Sequence, residues 1–368
     1  MHLSEFDYFL PPDAIAQQPL QDRAAARMLL LDRKSGRIED SRFRELASLL
    51  RGDELVVVNN ARVIRARLFA HRAGAQAQPP GKDKRVQKQH LASRIEVLLV
   101  RHIDGDLWEA LVRPGRKVGI GERLFFDGAD LEADVVGRGA YGLRQLRFDT
   151  GTQSDFAKAI DKVGHVPLPP YIRRSDEAAD RERYQTVFAK QPVAVAAPTA
   201  GLHFTPEILD QLRQKGIEVA EITLDVGLGT FQPIRTDNVE DHAMHCEAYE
   251  ISQEAARAIA SAYRQRRPIL AIGTTVVRAL EDAAQKSTQA GRSPEAIAAG
   301  RASAEIFIRP GYRFALVNQL LTNFHLPRST LLVLVCAFAG REPVLAAYRH
   351  AVASRYRFYS YGDCMLIR

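Results

Sequence analysis

The stretch ELVVVNNARVIRARL, residues 54–68, changes character in its middle. Glu54-Leu55-Val56-Val57-Val58, apolar after its first residue, reads as a strand buried on both faces. From Val63 to His71 the chain turns basic and strand-like. Upstream, Arg27 to Leu31 is a short apolar strand and Lys34-Ser35-Gly36 a turn. Phe43 to Leu50 then places Phe43, Leu46, Leu49 and Leu50 on one helical face before Gly52 ends the helix. Downstream, strand-like segments follow at short intervals between Gly-bearing turns: Arg94 to Val100, Trp108 to Val112, Glu122 to Phe126, Asp134 to Val136 and Leu143 to Phe148. This spacing predicts a small β-barrel. Residues 73–93, rich in Gln, Pro and Lys and without periodicity, read as a mobile loop.

From Asp155 the α/β alternation returns. Thr205-Pro206-Glu207 has a hydroxyl N-cap, a proline at the first helical position and an acid in the first turn, and Gly216 stops that helix. Glu218 to Val226 and Pro268 to Ile272 read as strands, Val276 to Gln285, Leu331 to Ala339 and Pro343 to Ser354 as helices, and Tyr356 to Ile367 as a closing strand. The expected fold is mixed α/β: a discontinuous large domain, residues 1–62 and 152–368, with a basic β-barrel, residues 63–151, inserted into it.

Composition narrows the function classes. The 368 residues are 46% hydrophobic and 26% charged, the balance of a globular chain. The three cysteines, Cys246, Cys336 and Cys364, form no CxxC, which excludes a zinc ribbon or disulfide scaffold. The first residues carry Glu5 and Asp7 and no apolar signal core, and the run Leu331 to Ala339 falls short of the roughly 18 residues of a membrane span. A cytoplasmic protein is expected. The net charge is +7, and residues 65–117 hold twelve basic against five acidic side chains, a balance that suggests a nucleic-acid partner.

Five segments look chemical. AAPTAGLHFT (196–205) runs into a helix N-terminus, where free N–H groups favour a polar ligand. GLGTFQP (227–233) follows a strand and allows close backbone approach to a ligand. HAMHCE (242–247) supplies acid/base groups, with His242 and His245 able to share a helical face. Its spacing matches neither HExxH nor a zinc finger, so no metal site is expected. AIGTTVVRALE (271–281) reads as strand, turn and helix, a nucleoside site at the carboxyl end of a sheet. TNFHLPRSTLLVLVCAFAG (322–340) sets Asn323 and His325 about an aromatic residue.

Together with FDYFLP (6–11), GHVPLPPYIRR (164–174) and YRFYSYGDCMLI (356–367), these motifs in this order resemble the S-adenosylmethionine:tRNA ribosyltransferase-isomerase family of queuosine biosynthesis. The resemblance runs from Phe6 to Ile367. It implies transfer and isomerisation of the ribosyl group of S-adenosylmethionine onto 7-aminomethyl-7-deazaguanine at a tRNA wobble position. Epoxyqueuosine forms, and adenine and methionine leave. It also implies a large α/β domain with an inserted barrel and no cofactor, because the sulfonium supplies the activation.

Such chemistry needs a general base for the acidified 5′ C–H, help for the departing adenine and a neutral amine nucleophile. Candidate acid/base residues are His203, His242, His245 and His325, with Glu247 and Asp363 as carboxylate partners. Candidate S-adenosylmethionine contacts are Thr199, Gly201, Phe231, Thr274, Thr275, Arg278, Asn323, Phe324 and Tyr361. Candidate tRNA contacts are Arg62, Arg65, Arg67, Lys82, Lys84, Arg85, Lys88, Arg173 and Arg174, with the modified base flipped into a cleft between the domains. A monomer is expected, as no heptad is present.

The chain departs from the family pattern in three places. It has Asn59-Asn60-Ala61-Arg62-Val63-Ile64-Arg65 where the family has Asn-Asp-Thr-Arg-Val-Ile-Pro, Asp225 where a His is common, and a longer loop at 73–93. Two other readings stay open: an S-adenosylmethionine-dependent RNA methyltransferase, and a non-catalytic RNA-binding protein.

Overall fold

The computed structural model describes residues 1–74, 93–139, 142–150, 156–225, 234, 236–244 and 246–368. They divide into two compact units, 1–62 with 169–175 and 179–368, and 63–168 with 176–178.

The larger unit is built on a nine-stranded sheet. From edge to edge its strands are Gly300–Ala304, Glu247–Ile251, Glu218–Asp225, Leu55–Asn59, Ile269–Ile272, Gln319–Asn323, Cys364–Ile367, Arg27–Leu31 and Ile38–Arg42. The four strands from Glu218–Asp225 to Gln319–Asn323 run parallel. Glu247–Ile251 and Cys364–Ile367 pair with their outer members in the antiparallel sense. Every residue of Leu55–Asn59 is buried, as a central strand covered on both faces must be. Alternate side chains feed two cores. Leu55 and Val57 pack with Val277 and Leu280 of helix Thr274–Gln289 and with Val335 of helix Thr330–Ala339. Val56 and Val58 pack with Phe204, with Ile208 and Leu212 of helix Pro206–Gln214, and with Phe43.

Local signals set the helix starts. Thr205 Oγ1 accepts the Ile208 N–H at 3.3 Å, with Pro206 as the first helical residue. Ser329 Oγ likewise accepts the Leu332 N–H at 3.2 Å. Gly273, at φ 97°, turns the chain directly from strand Ile269–Ile272 into helix Thr274–Gln289, a conformation that a side chain would strain.

The smaller unit is a closed six-stranded barrel of Leu143–Asp149, Leu107–Arg113, Ile95–Asp104, Arg67–Arg72, Arg123–Phe126 and Glu132–Arg138. Its strands alternate buried and exposed residues, with Leu68, Val97, Val112, Leu124, Val135 and Leu146 inside. The mixed α/β fold with an inserted barrel is therefore what the chain forms.

Some expectations differ in detail. The second boundary falls at Pro169, not at 152, because helix Phe156–Val163 belongs to the barrel unit. Phe156 packs against Trp108 and Phe148, with ring centroids 5.4 and 4.8 Å apart. The Phe43 to Leu50 segment is a 3₁₀ turn, Phe43–Glu45, followed by the short helix Leu46–Leu49. The closing strand is only Cys364–Ile367. Before it the chain doubles back, with Tyr359 at φ 72° and Gly362 so close to Arg357 that a Cβ would lie 2.5 Å from the Arg357 carbonyl oxygen. No single helix among the described residues is long and apolar enough to cross a membrane. The expected loop at 73–93 lies mostly outside the described residues, which leave out 75–92.

Candidate active site

The carboxyl ends of Ile269–Ile272 and Gln319–Asn323 open onto a cleft of about 560 Å³, lined among others by Thr199, Thr274, Thr275, Asn323 and His325. This is where an open parallel sheet leaves a crevice for a ligand. A second cleft, of about 480 Å³, shares Thr274, Thr275 and Leu331 with the first. The Gly273-Thr274-Thr275 turn thus stands in the wall of both, and the N–H groups of its helix start lack intrahelical partners.

His325 is buried at 7% exposure, and its Nε2 lies 2.9 Å from Thr322 Oγ1. Its backbone is held on both sides: the N–H donates to Tyr348 Oη at 3.1 Å, and the carbonyl accepts the Tyr8 hydroxyl. Burial pulls its pKa down to about 3, so the imidazole is neutral at neutral pH. His203 ends the 3₁₀ turn Thr199–His203 and is also buried. Burial, with Arg23 as a smaller contribution, lowers its pKa to about 4. Its Nε2 lies 3.3 Å from Asn323 Nδ2, and the same amide nitrogen donates to the Tyr359 carbonyl at 2.9 Å.

In the second cleft, His242 meets Phe307 edge to face with ring centroids 5.8 Å apart. Glu247, the first residue of its strand, pairs with Arg278 at 3.0 Å. The other guanidinium nitrogens of Arg278 donate to the carbonyls of Ile306 and Ala304, each at 2.9 Å. Among the described residues no group of three or more His, Cys, Asp or Glu could hold a metal ion.

Residues 3–367 match the model of a family described as queuosine biosynthesis protein. The chain belongs to this family. It is 51% identical over 369 residues to an S-adenosylmethionine:tRNA ribosyltransferase-isomerase from Solibacter usitatus, and 47% identical over 367 residues to one from Moorella thermoacetica, with 100% of each chain covered. It is also similar to a crystal structure of S-adenosylmethionine tRNA ribosyltransferase from Thermotoga maritima, at 36% identity and TM-score 0.53, with 99% of this chain and 100% of that one covered.

In this member of the queuosine biosynthesis family, the cleft draws together part of what the sequence singled out. Thr199, Thr274, Thr275, Asn323, Phe324 and His325 line the first cleft, and His242, Glu247 and Arg278 the second. His203 and Tyr361 line a third, smaller pocket with Arg23 and Arg183. Tyr171, Thr322, Tyr359 and Ser360 also line the first cleft and escaped the sequence reading. Tyr171 and Ser360 join through their hydroxyls although 189 positions apart, a pairing that no local pattern announces.

Other candidates serve the framework. Asp363 accepts backbone N–H bonds from Arg27 and Arg357, each at 2.8 Å, so both oxygens of this expected acid/base partner hold the chain together. Phe324 is fully buried among the rings of Tyr348, Tyr356 and Phe358, so its face is not presented to a sulfonium. The Tyr361 hydroxyl donates to Asp180 at 2.7 Å. Gly201 packs so tightly that a Cβ would lie 2.7 Å from Phe188, which makes it a packing position. Arg278 is held by Glu247 and by the Ile306 and Ala304 carbonyls. His242 follows the turn Val239–Asp241 in an extended conformation.

The basic candidates divide in the same way. Arg174 forks onto Asp180 at 2.6 and 2.8 Å. Arg67 pairs with Glu96 at 3.1 Å and donates to the Leu168 carbonyl at 2.8 Å. Arg65 lies 3.8 Å from Asp161. These three are committed within their own units, whereas Arg62 and Arg173 are exposed. Asn60, at the departure from the family pattern, accepts the Thr223 hydroxyl at 2.7 Å and donates to Glu221 at 3.2 Å, and so ties two strand ends. His245, Phe231, Lys82, Lys84, Arg85 and Lys88 lie outside the described residues.

Proposed function

We propose that this chain transfers and isomerises the ribosyl group of S-adenosylmethionine onto the 7-aminomethyl-7-deazaguanine of a tRNA wobble position, giving epoxyqueuosine-tRNA with release of adenine and methionine. The observation that carries this reading is likeness along the whole chain, 51% and 47% identity over 100% of it, to relatives named for that activity. The cleft at the carboxyl ends of the parallel strands supports it. Thr199, Thr274 and Thr275 supply hydroxyl and helix-start N–H donors to the nucleoside and to the methionine carboxylate.

The sulfonium acidifies the adjacent 5′ C–H, and an imidazole on the cleft wall takes that proton. His325 is the candidate in the first cleft and His242 in the second. The Thr322 hydroxyl, 2.9 Å from His325 Nε2 and 3.3 Å from the Asn323 carbonyl, ties the ring to the strand end. Ribosyl transfer from a sulfonium needs no further cofactor. The tRNA backbone meets exposed basic side chains such as Arg62 and Arg173, and the basic segment 82–88 adds to the field. A tRNA substrate is in keeping with a cytoplasmic enzyme, which this reading takes to be a monomer.

The test is a product assay with S-adenosylmethionine and tRNA bearing the aminomethyl-deazaguanine. Adenine and methionine released only with the modified tRNA are the expected products. S-adenosylhomocysteine in their place would make the protein a methyltransferase, and tRNA binding without turnover would make it an RNA-binding protein.

A further inference from the structure

Asn323 stands at the carboxyl end of strand Gln319–Asn323, 2% exposed, in the wall of the first cleft. Both hydrogens of its amide nitrogen are spent, one on the Tyr359 carbonyl at 2.9 Å and one on His203 Nε2 at 3.3 Å. The Tyr359 carbonyl fixes the orientation: it only accepts, so a reversed amide would set two oxygens against each other. This leaves Oδ1 buried with no hydrogen-bond partner among the described residues. A buried acceptor is seldom left unpaired, and one in a ligand cleft calls for a donor on the ligand.

His203 explains why the amide stays put. It can accept from Asn323 only while Nε2 carries no proton: its surroundings keep the ring neutral, and the Asn323 donor sets the remaining proton on Nδ1. The ring is 4% exposed, packs on Phe43 with centroids 5.3 Å apart, and feels the charges of Arg23 and Arg357. A side chain so disposed is poorly placed to shuttle protons and well placed to orient a neighbour.

We infer that His203 is a positioning residue that aligns the Asn323 amide, and that Asn323 Oδ1 receives a hydrogen-bond donor from the adenosine half of the nucleoside substrate. This rests on the reading that the cleft takes S-adenosylmethionine. Adenosine offers donors of one chemistry from two sources, the 6-amino group and the ribose hydroxyls. Neutral Oδ1 suits either, whereas a carboxylate there would repel the Tyr359 carbonyl.

The experiment is calorimetric titration of S-adenosylmethionine into the full-length protein. Asn323→Ala should weaken binding about tenfold or more, the effect of losing a buried hydrogen bond. His203→Leu should weaken it in the same direction, His203→Gln should restore it through its own acceptor, and Asn323→Ala with His203→Leu should bind no worse than Asn323→Ala alone. That last result separates a shared device from two independent losses. An analogue lacking the 6-amino group, or one lacking a ribose hydroxyl, should bind wild type and Asn323→Ala equally, and the one that does so names the donor.

Variants that bind like a wild type competent for S-adenosylmethionine, or analogues that both still discriminate, would overturn the inference while leaving the proposed function standing. A wild type that binds no S-adenosylmethionine would overturn both. Should the variants fail to fold, ¹⁵N shifts of the His203 ring in the wild-type protein decide the point. A bare Nε2 with a protonated Nδ1 is expected, and a protonated Nε2 would sink the assignment.

Discussion

The Glu247 carboxylate lies 3.0 Å from the Arg278 guanidinium, and the two side chains are only 8% and 5% exposed. The pair stands in the wall of the second cleft and joins the first residue of one strand to the long helix behind the Gly273 turn. Removing one partner strands a buried charge. Glu247→Ala is expected to destabilise the protein by about 3–5 kcal/mol, because the Arg278 charge stays buried without its counterion. Glu247→Gln, which can still accept a hydrogen bond, should lose less. Urea denaturation of the two variants checks this, and equal midpoints for Glu247→Ala and wild type would deny the pair a structural part.

Stability should depend on pH through the two buried histidines. In the unfolded chain an imidazole takes up its proton near pH 6.5. In the folded chain His203 holds out to about 4 and His325 to about 3. Below pH 6.5 the unfolded state therefore binds more protons, and stability falls as pH falls, with a slope of up to about 1.4 kcal/mol per pH unit for each histidine. Burial raises Asp363 and Glu281, which pulls the other way as pH falls, so the histidine contribution is read as the difference between wild type and His325→Gln over pH 7 to 5. Denaturation midpoints across that interval should decline in wild type and decline less in His325→Gln. An identical slope would show that His325 is charged in the folded protein.

Much of the architecture was legible because it rests on local chemistry. Thr205 and Pro206 carry the signal of a helix start in their own chemistry, and the apolar, largely β-branched run at 55–58 reads as a covered strand. The Gly273-Thr274-Thr275 turn was legible for the same reason. What stayed hidden depends on partners far apart in the chain. Asn323 meets His203 across 120 positions and Tyr359 across 36, so the partners that hold this candidate contact in place cannot be read from its own segment. Tyr356 to Asp363 is aromatic enough to read as strand, yet Tyr359 at φ 72° breaks it. Basic residues look alike in sequence: Arg173 is exposed while Arg174 beside it is spent on Asp180.

That last contrast has a measurable consequence for RNA binding. Each basic side chain that neutralises a phosphate steepens the fall of log affinity with log salt by roughly 0.7–0.9. Arg62→Gln and Arg173→Gln should each weaken tRNA binding and make this slope shallower by about that much. Arg174→Gln should instead lower the unfolding temperature, because the buried Asp180 loses its counter-charge and two of its hydrogen bonds, and should leave the slope unchanged. Filter binding over a range of salt concentrations separates the two kinds of arginine. A slope altered by Arg174→Gln would return that residue to the RNA surface.

Asp363 gives the sharpest separation of framework from chemistry. Its two oxygens accept the N–H groups of Arg27 and Arg357, each at 2.8 Å, and so pin the segment before the last strand to the start of the first. Asp363→Ala leaves both donors without this acceptor and should destabilise the protein by about 2–3 kcal/mol. Asp363→Asn keeps one acceptor and should recover part of that. If the residue only holds backbone, Asp363→Asn turns over within about tenfold of wild type once the assay is run well below its unfolding temperature. A general acid or base would forfeit on the order of 10²–10⁴ in rate on the same change. A folded Asp363→Asn with activity lost on that scale would move the carboxylate from the scaffold into the reaction.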